Sequence, residues 1–180
     1  SPEERIPFQL LCDPQNEAHP DLTIVVADGA NLKRNLFLAS QLVDLKIPVV
    51  LVINMMDIVR FKKININFEK LSVRLGVPIV SMNARKQEGL KELKEAIAKP
   101  FSPPANDFID IRPFAPEVID TIRQTVNVNS NYNAFLVANN LDLISNFEIP
   151  EFKKEKIRAV CAQYEFNAQQ MQAKETLERY

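Results

Sequence analysis

Three short apolar runs constrain this chain more than any other feature: LTIVVA at 22–27, IPVVLVI at 47–53 and VPIVSM at 77–82. None alternates strictly between apolar and polar residues, so none reads as a strand with one wet face. Near-continuous Val/Ile runs suit parallel strands covered on both faces. Each is followed by a segment with helical spacing. In NLKRNLFLASQLVDLK (31–46), Leu32, Leu36, Ala39, Leu42 and Leu45 recur every three or four residues, and Asn31 is placed to cap the helix. In NFEKLSVRLG (67–76), Asn67 is the expected N-cap and Gly76 the stop. QEGLKELKEAIAK (87–99) carries Leu90, Leu93 and Ile97 on one stripe. Strand and helix alternate three times, which predicts a right-handed α/β unit with three parallel strands.

The pattern stops at KPFSPPAND (99–107), where three prolines in six residues read as a linker. No β-like run follows. PEVIDTIRQTV opens with a proline suited to a first helical turn. NYNAFLVANNLDLI carries Tyr132, Phe135, Leu136 and Leu143 on a stripe, with Asn139-Asn140 interrupting it as an expected buried hydrogen-bonding pair. EFKKEKIRAVCAQY groups Ile157, Val160, Cys161 and Tyr164, and the run KKEK at 153–156 is expected to be a solvated face. NAQQMQAKETLERY is helix-prone but weakly patterned. The expectation is a small all-α subdomain of four helices over 104–180, behind an α/β part at 1–103.

Composition excludes several classes of function. The formal net charge is −1, so no global basic field draws the chain to nucleic acid. Cys12 and Cys161 are the only cysteines, outside any metal-ligand spacing, and read as reduced thiols of a cytosolic setting. No apolar run approaches the ~20 residues of a membrane helix, and SPEERIPF lacks signal-peptide features. The three glycines, Gly29, Gly76 and Gly89, fit neither a G-x-x-x-x-G-K-[ST] phosphate loop nor a dinucleotide fingerprint. Single His19 beside Pro20 reads as a loop residue, and no catalytic or metal-binding set emerges.

What remains is the end of the second run, Asn54-Met55-Met56-Asp57. One reading is an Asx-containing βα turn in which the Asp side chain caps the next turn. The other is functional, because open α/β sheets bind ligands beyond the carboxyl ends of their strands. An ionised carboxylate at Asp57 can accept the ring N–H and the exocyclic amine of guanine together, a pair that adenine lacks. Asn54 can accept from and donate to the ring while bracing neighbouring loops. At the next strand end, Ala84 is small enough for its backbone N–H to reach a base oxygen, and Arg85 can lie over the ring.

The NMMD block, with EKLSVRLGVPIV and ARKQEGLKELKEAI, resembles the cytosolic GTPase domain of the ferrous iron transport protein B family. PDLTIVVADGANLKRNLFLASQL resembles the segment ahead of that family's guanine motif, and QAKETLERY the close of its helical domain. The resemblance implies a P-loop-GTPase-like fold in which Asn54 and Asp57, with Met55 and Met56 between them, read the guanine of GTP or GDP. It assigns the next guanine motif, usually Ser-Ala-Arg, to Asn83-Ala84-Arg85, with Asn83 in place of serine. Met55 stands where many GTPases carry a lysine and offers an apolar contact without charge.

The same resemblance places the phosphate loop, the Mg2+-binding switch threonine and the D-x-P-G motif ahead of residue 1. It makes 1–103 the C-terminal half of a GTPase domain and 104–180 its helical subdomain. No GTP hydrolysis is expected from such a segment alone. It implies a place on the cytoplasmic side of the inner membrane, coupled to the membrane domain of an iron transporter. The open alternative is an α/β docking module that binds no nucleotide, and an exposed sheet edge is expected to favour self-association.

Overall fold

The computed structural model describes Leu11, residues 17–141 and residues 149–179. It divides into two compact units, one of Asp21–Phe108 and one built on Ile109–Tyr180.

In the first unit three parallel strands, β1 (Thr23–Asp28), β2 (Val49–Asn54) and β3 (Ile79–Ser81), lie in the order β1-β2-β3. Thr23 through Asp28 pair in register with Val49 through Asn54, and Leu51–Ile53 with Ile79–Ser81. The helices are α1 (Leu32–Asp44), α2 (Met56–Phe61), α3 (Phe68–Leu75) and α4 (Leu90–Ala98). β2 is the buried centre, as its unbroken apolar run requires: Val49 through Ile53 are all buried. On one face Val50, Val52 and Val80 pack under Leu93 and Ala96 of α4.

That cover ends before β1. Ile24 and Val26, register partners of Val50 and Val52, are 41% and 61% exposed. The expectation of strands covered on both faces thus holds for β2 and fails for β1. At β1 the same Val/Ile composition is shielded on one face only, because α4 packs on β2 and β3.

Of the two helix caps expected from the sequence, one forms and one does not. Asn67 caps α3 by accepting from the Lys70 N–H at 2.8 Å, and Gly76 closes it at φ 69°. Asn31 forms no cap hydrogen bond at α1. Its side chain instead donates to Asp28 Oδ2 at 2.6 Å, while Asp28 Oδ1 accepts from the Ala30 N–H at 2.8 Å. Asp28 therefore caps a short 3-10 turn, Gly29–Asn31, that precedes the helix. The sequence analysis identifies no helix between the second apolar run and the Asn67 cap, and α2 lies there. At six residues α2 is too short for a periodic signature.

The proline-rich segment is strapped down at its end. The Phe108 N–H donates to buried Asp44, Lys46 pairs with Asp107 at 2.6 Å, and the Arg74 guanidinium sits 4.6 Å from the Phe108 ring centre. These ties keep residues 105–108 with the first unit.

The second unit holds α5 (Pro116–Val126), α6 (Asn131–Asn139), α7 (Glu151–Gln163) and α8 (Ala168–Arg179). α5 packs on α6 and α7, and α6 on α8. Ile119, Ile122, Phe135 and Ile157 are fully buried. Asn139 and Asn140 do not pair with each other. Each amide donates to a backbone carbonyl one turn earlier, Phe135 and Leu136, at 2.7 and 2.9 Å. Of KKEK, Glu155 and Lys156 are exposed whereas Lys153 and Lys154 are half-buried. α8 contributes what its weak patterning hid: the buried Tyr132 hydroxyl donates to Glu175 at 2.6 Å, and Arg179 Nε donates to the same carboxylate at 2.8 Å. Leu143 and Cys12 lie outside the described residues. Among those residues no helix is long and apolar enough to cross a membrane.

Candidate functional site: a rim at adjacent strand ends

The carboxyl ends of β1, β2 and β3 form one rim of the sheet, with Asp28 in register with Asn54. After Ile53 the chain leaves the sheet through Met55, a non-glycine residue held at φ 61°, and enters α2 directly. That left-handed residue makes an abrupt strand-to-helix turn. It places Asn54 on the strand and Asp57 in the first helical turn, where a carboxylate is favoured by the unpaired amide N–H groups. Asp57 is half-buried. It does not cap α2, so the turn-capping reading finds no hydrogen bond to support it. Met55 is exposed and Met56 half-buried.

The neighbouring strand end is tied to this turn at three points. Met82 N–H donates to the Ile53 carbonyl at 2.8 Å, Met56 N–H to the Met82 carbonyl at 3.3 Å, and Ala84 N–H to Asn54 Oδ1 at 3.0 Å. The last bond brings the two sequence-predicted motifs together. It also uses, within the protein, the Ala84 N–H that the sequence reading assigns to a base oxygen. Asn54 is thus the brace between the loops.

Asn83 is 3% exposed and organises the second loop. Its side chain accepts from the Lys86 N–H at 3.4 Å, and its backbone forms an antiparallel bridge with Glu88 through bonds of 3.0 and 3.2 Å. Arg85 is exposed at the turn Ala84–Lys86. Gly89 lets the chain pass tightly: a Cβ there would lie 2.2 Å from the Ser81 carbonyl oxygen, at φ 84°. Gly29 likewise admits no side chain, since its Cβ would meet Val59 at 2.6 Å and the Asn54 carbonyl at 3.0 Å.

The rim is open. A polar cavity of about 440 Å³ beside it is lined by Met56, Arg60, Ser81, Asn83, Glu88 and Glu92, and by neither Asp57 nor Ala84. A second, apolar one of about 480 Å³ lies between Gly29–Leu32 and residues 64–74. Asp28, which closes β1, is a further polar residue of this rim and one the sequence analysis does not single out. The Asn31 amide, and then the Ala30 N–H, hold its carboxyl below the usual carboxylate range. The Asp-Gly-Ala-Asn string was the available signal, since Asp side chains accept from amides two or three residues on. Among the described residues no group of three His, Cys, Asp or Glu side chains is arranged to hold a metal.

The family model for ferrous iron transport protein B matches residues 1–97, more than half of the chain. The chain belongs to the ferrous iron transport protein B family. Among curated relatives, the Fe(2+) transporter FeoB of Salmonella typhimurium is 36% identical over 107 residues, which cover 59% of this chain and 14% of the relative. That of Escherichia coli is 39% identical over 89 residues, 49% of this chain and 12% of its own length. The aligned part is therefore a small fraction of these transporters.

Among solved structures, mGMPPNP-bound NFeoB from S. thermophilus aligns with a TM-score of 0.69 at 26% identity, covering 97% of this chain and 69% of that one. The cytosolic domain of L. pneumophila FeoB aligns with a TM-score of 0.72 at 24% identity, covering 100% and 70%. The three-stranded parallel sheet followed by helices is thus the arrangement found in FeoB cytosolic domains.

Proposed function

We propose that this chain carries the guanine-reading part of the cytosolic G domain of a ferrous iron transporter. Asn54, Met55, Met56 and Asp57 form one wall of the site, and Asn83, Ala84 and Arg85 the other. The observation that supports this most is the 3.0 Å bond from the Ala84 N–H to Asn54 Oδ1, which locks the two loops into a single rim. Beside it, Asp57 makes no cap bond of its own. A carboxylate taking two N–H donors from one base edge gains about 1.5–3 kcal/mol from charged hydrogen bonds. Adenine, which lacks the donor pair, gains none of it.

These residues address the base of GTP or GDP. Holding the phosphates and Mg2+ calls for a phosphate loop, and no such motif occurs among these 180 residues. The polypeptide by itself is therefore proposed to be inactive in GTP hydrolysis. In this reading residues 1–103 are the G-domain portion, 104–180 are its helical subdomain, and the whole lies on the cytoplasmic side of the inner membrane, coupled to a membrane domain. Its partners are guanine nucleotide and the remaining G-domain elements, with no nucleic acid.

The test is base preference. Guanosine diphosphate titrated against adenosine diphosphate, followed by amide shifts of residues 54–57 and 83–85, should favour guanosine, and Asp57→Ala should erase the difference. Asp57→Asn should turn preference toward xanthine, since an amide donates where the carboxylate only accepts. An Asp57→Asn protein with the original preference removes Asp57 from the role.

The exposed Ile24 and Val26 favour a second reading, in which the uncovered face of β1 docks further protein, including a second copy of the chain. Light scattering across a concentration series tests the second copy. A monomer at all concentrations that is unaltered by Val26→Lys counts against it.

A further inference from the structure

Methionine occurs four times in this chain, and three of the four stand at the proposed base site: Met55 and Met56 after β2, Met82 after β3. Met171 stands apart on α8. Burial separates the three. Met82 packs against the core of Val50, Val52 and Val80, and both Met82 and Met56 are half-buried. Met55 is 43% exposed, at the left-handed turn where the chain belongs to neither the strand nor the helix and is shielded by neither. In the guanine reading above, its thioether is the soft, polarisable group that the wall at Asn54–Asp57 offers to a flat ring.

We propose that Met55 is an oxidation site that switches the base site off. The inference rests on the guanine reading above. The reactant is a peroxide. A sulfur lone pair attacks one peroxide oxygen, the O–O bond breaks, and an S=O bond forms. The sulfur gives up two electrons, and hydrogen peroxide leaves as water. The product is methionine sulfoxide, which turns an apolar side chain into a polar, chiral one.

At the exposed Met55 the sulfoxide oxygen is hydrated, and a base stacking there must strip that water, with neither neighbouring backbone N–H free to replace it. Ala84 N–H is already committed to Asn54, and Met56 N–H to Met82. Seating a base then costs the desolvation of a polar group where the thioether offered an apolar face, which weakens binding about tenfold. Sulfoxide reduction restores the thioether, so the switch is reversible.

The experiment treats the full 180-residue chain with hydrogen peroxide and follows each methionine by peptide mass spectrometry. Guanosine and adenosine diphosphates are titrated before treatment, after it, and after methionine sulfoxide reductase. Met55 should oxidise ahead of Met56 and Met82, guanosine preference should fall as Met55 converts, and the reductase should restore it. In Met55→Leu the affinities before and after peroxide should coincide, whatever their starting value. Oxidation of Met56 or Met82 ahead of Met55, or an undiminished guanosine preference with Met55 fully converted, overturns the switch and leaves the site reading intact. An untreated protein with no guanosine preference overturns the site reading, and the switch with it.

Discussion

Replacing Gly89 by alanine tests how the rim is held, and its cost can be worked from two features of the backbone. Gly89 sits at φ 84°, where a residue with a Cβ is disfavoured by about 1–2 kcal/mol. The added Cβ would also fall 2.2 Å from the Ser81 carbonyl oxygen and 3.1 Å from Met82 Cα. Both neighbours are main chain, so no rotamer change relieves the overlap. Shifting a packed backbone segment adds about 1–3 kcal/mol. The sum is about 2–5 kcal/mol.

Gly76 separates the two contributions. Its φ is 69°, yet nothing lies within 4 Å of its Cβ position, so Gly76→Ala carries the conformational penalty alone, about 1–2 kcal/mol. Urea unfolding read from the amide signals of β2 measures both variants in the unit that contains them, with an unchanged slope as the check that compactness is preserved. Gly89→Ala should unfold at clearly lower urea than Gly76→Ala, and Ala84 should lose amide protection as the loop is pushed out. Equal midpoints for the two variants would refute the argument that the Ser81 contact, rather than the dihedral angle, fixes this loop.

Asn54→Ala removes the acceptor of the Ala84 N–H and should destabilise the first unit by about 1 kcal/mol, with faster hydrogen exchange at Ala84 as the direct readout. Glu175→Leu leaves the buried Arg179 guanidinium without the carboxylate at 2.8 Å and should cost the helical unit about 3–5 kcal/mol by chemical denaturation. A loss under about 1 kcal/mol would mean that water reaches the Arg179 side chain. Asp28 has its pKa lowered in the folded chain, first by Asn31 and then by the Ala30 amide. Its contribution is therefore present at neutral pH and lost as acid titrates through the depressed value. Carboxyl NMR should find Asp28 titrating at lower pH than an ordinary aspartate, and Asp28→Asn should flatten the acid limb of the stability profile. Burial pushes the Cys161 thiol up, so alkylation at pH 8 should be slower than for a free thiol, with mass spectrometry reporting the site.

The three strands were legible because unbroken apolar runs leave few alternatives, and Asn67 and Gly76 because caps are read over three or four residues. α2 escaped notice because six residues hold less than two turns of periodicity. Asn31 misled because two capping residues, Asp28 and Asn31, compete within one turn, and the 3-10 turn inserted ahead of α1 gave the role to Asp28. The pairing of Tyr132 with Glu175 spans 43 residues in sequence and follows no local pattern.

Sequence alone determined the strand–helix alternation, the two polar motifs closing adjacent runs, and the family to which they belong, because periodicity and motif spacing are properties of neighbours along the chain. Tertiary structure decided which strand is central, why one face of β1 stays bare, and that Asn54 holds the amide of Ala84. Those depend on where α4 lands and on atoms thirty residues apart meeting at 3.0 Å, a distance that only the packed fold sets.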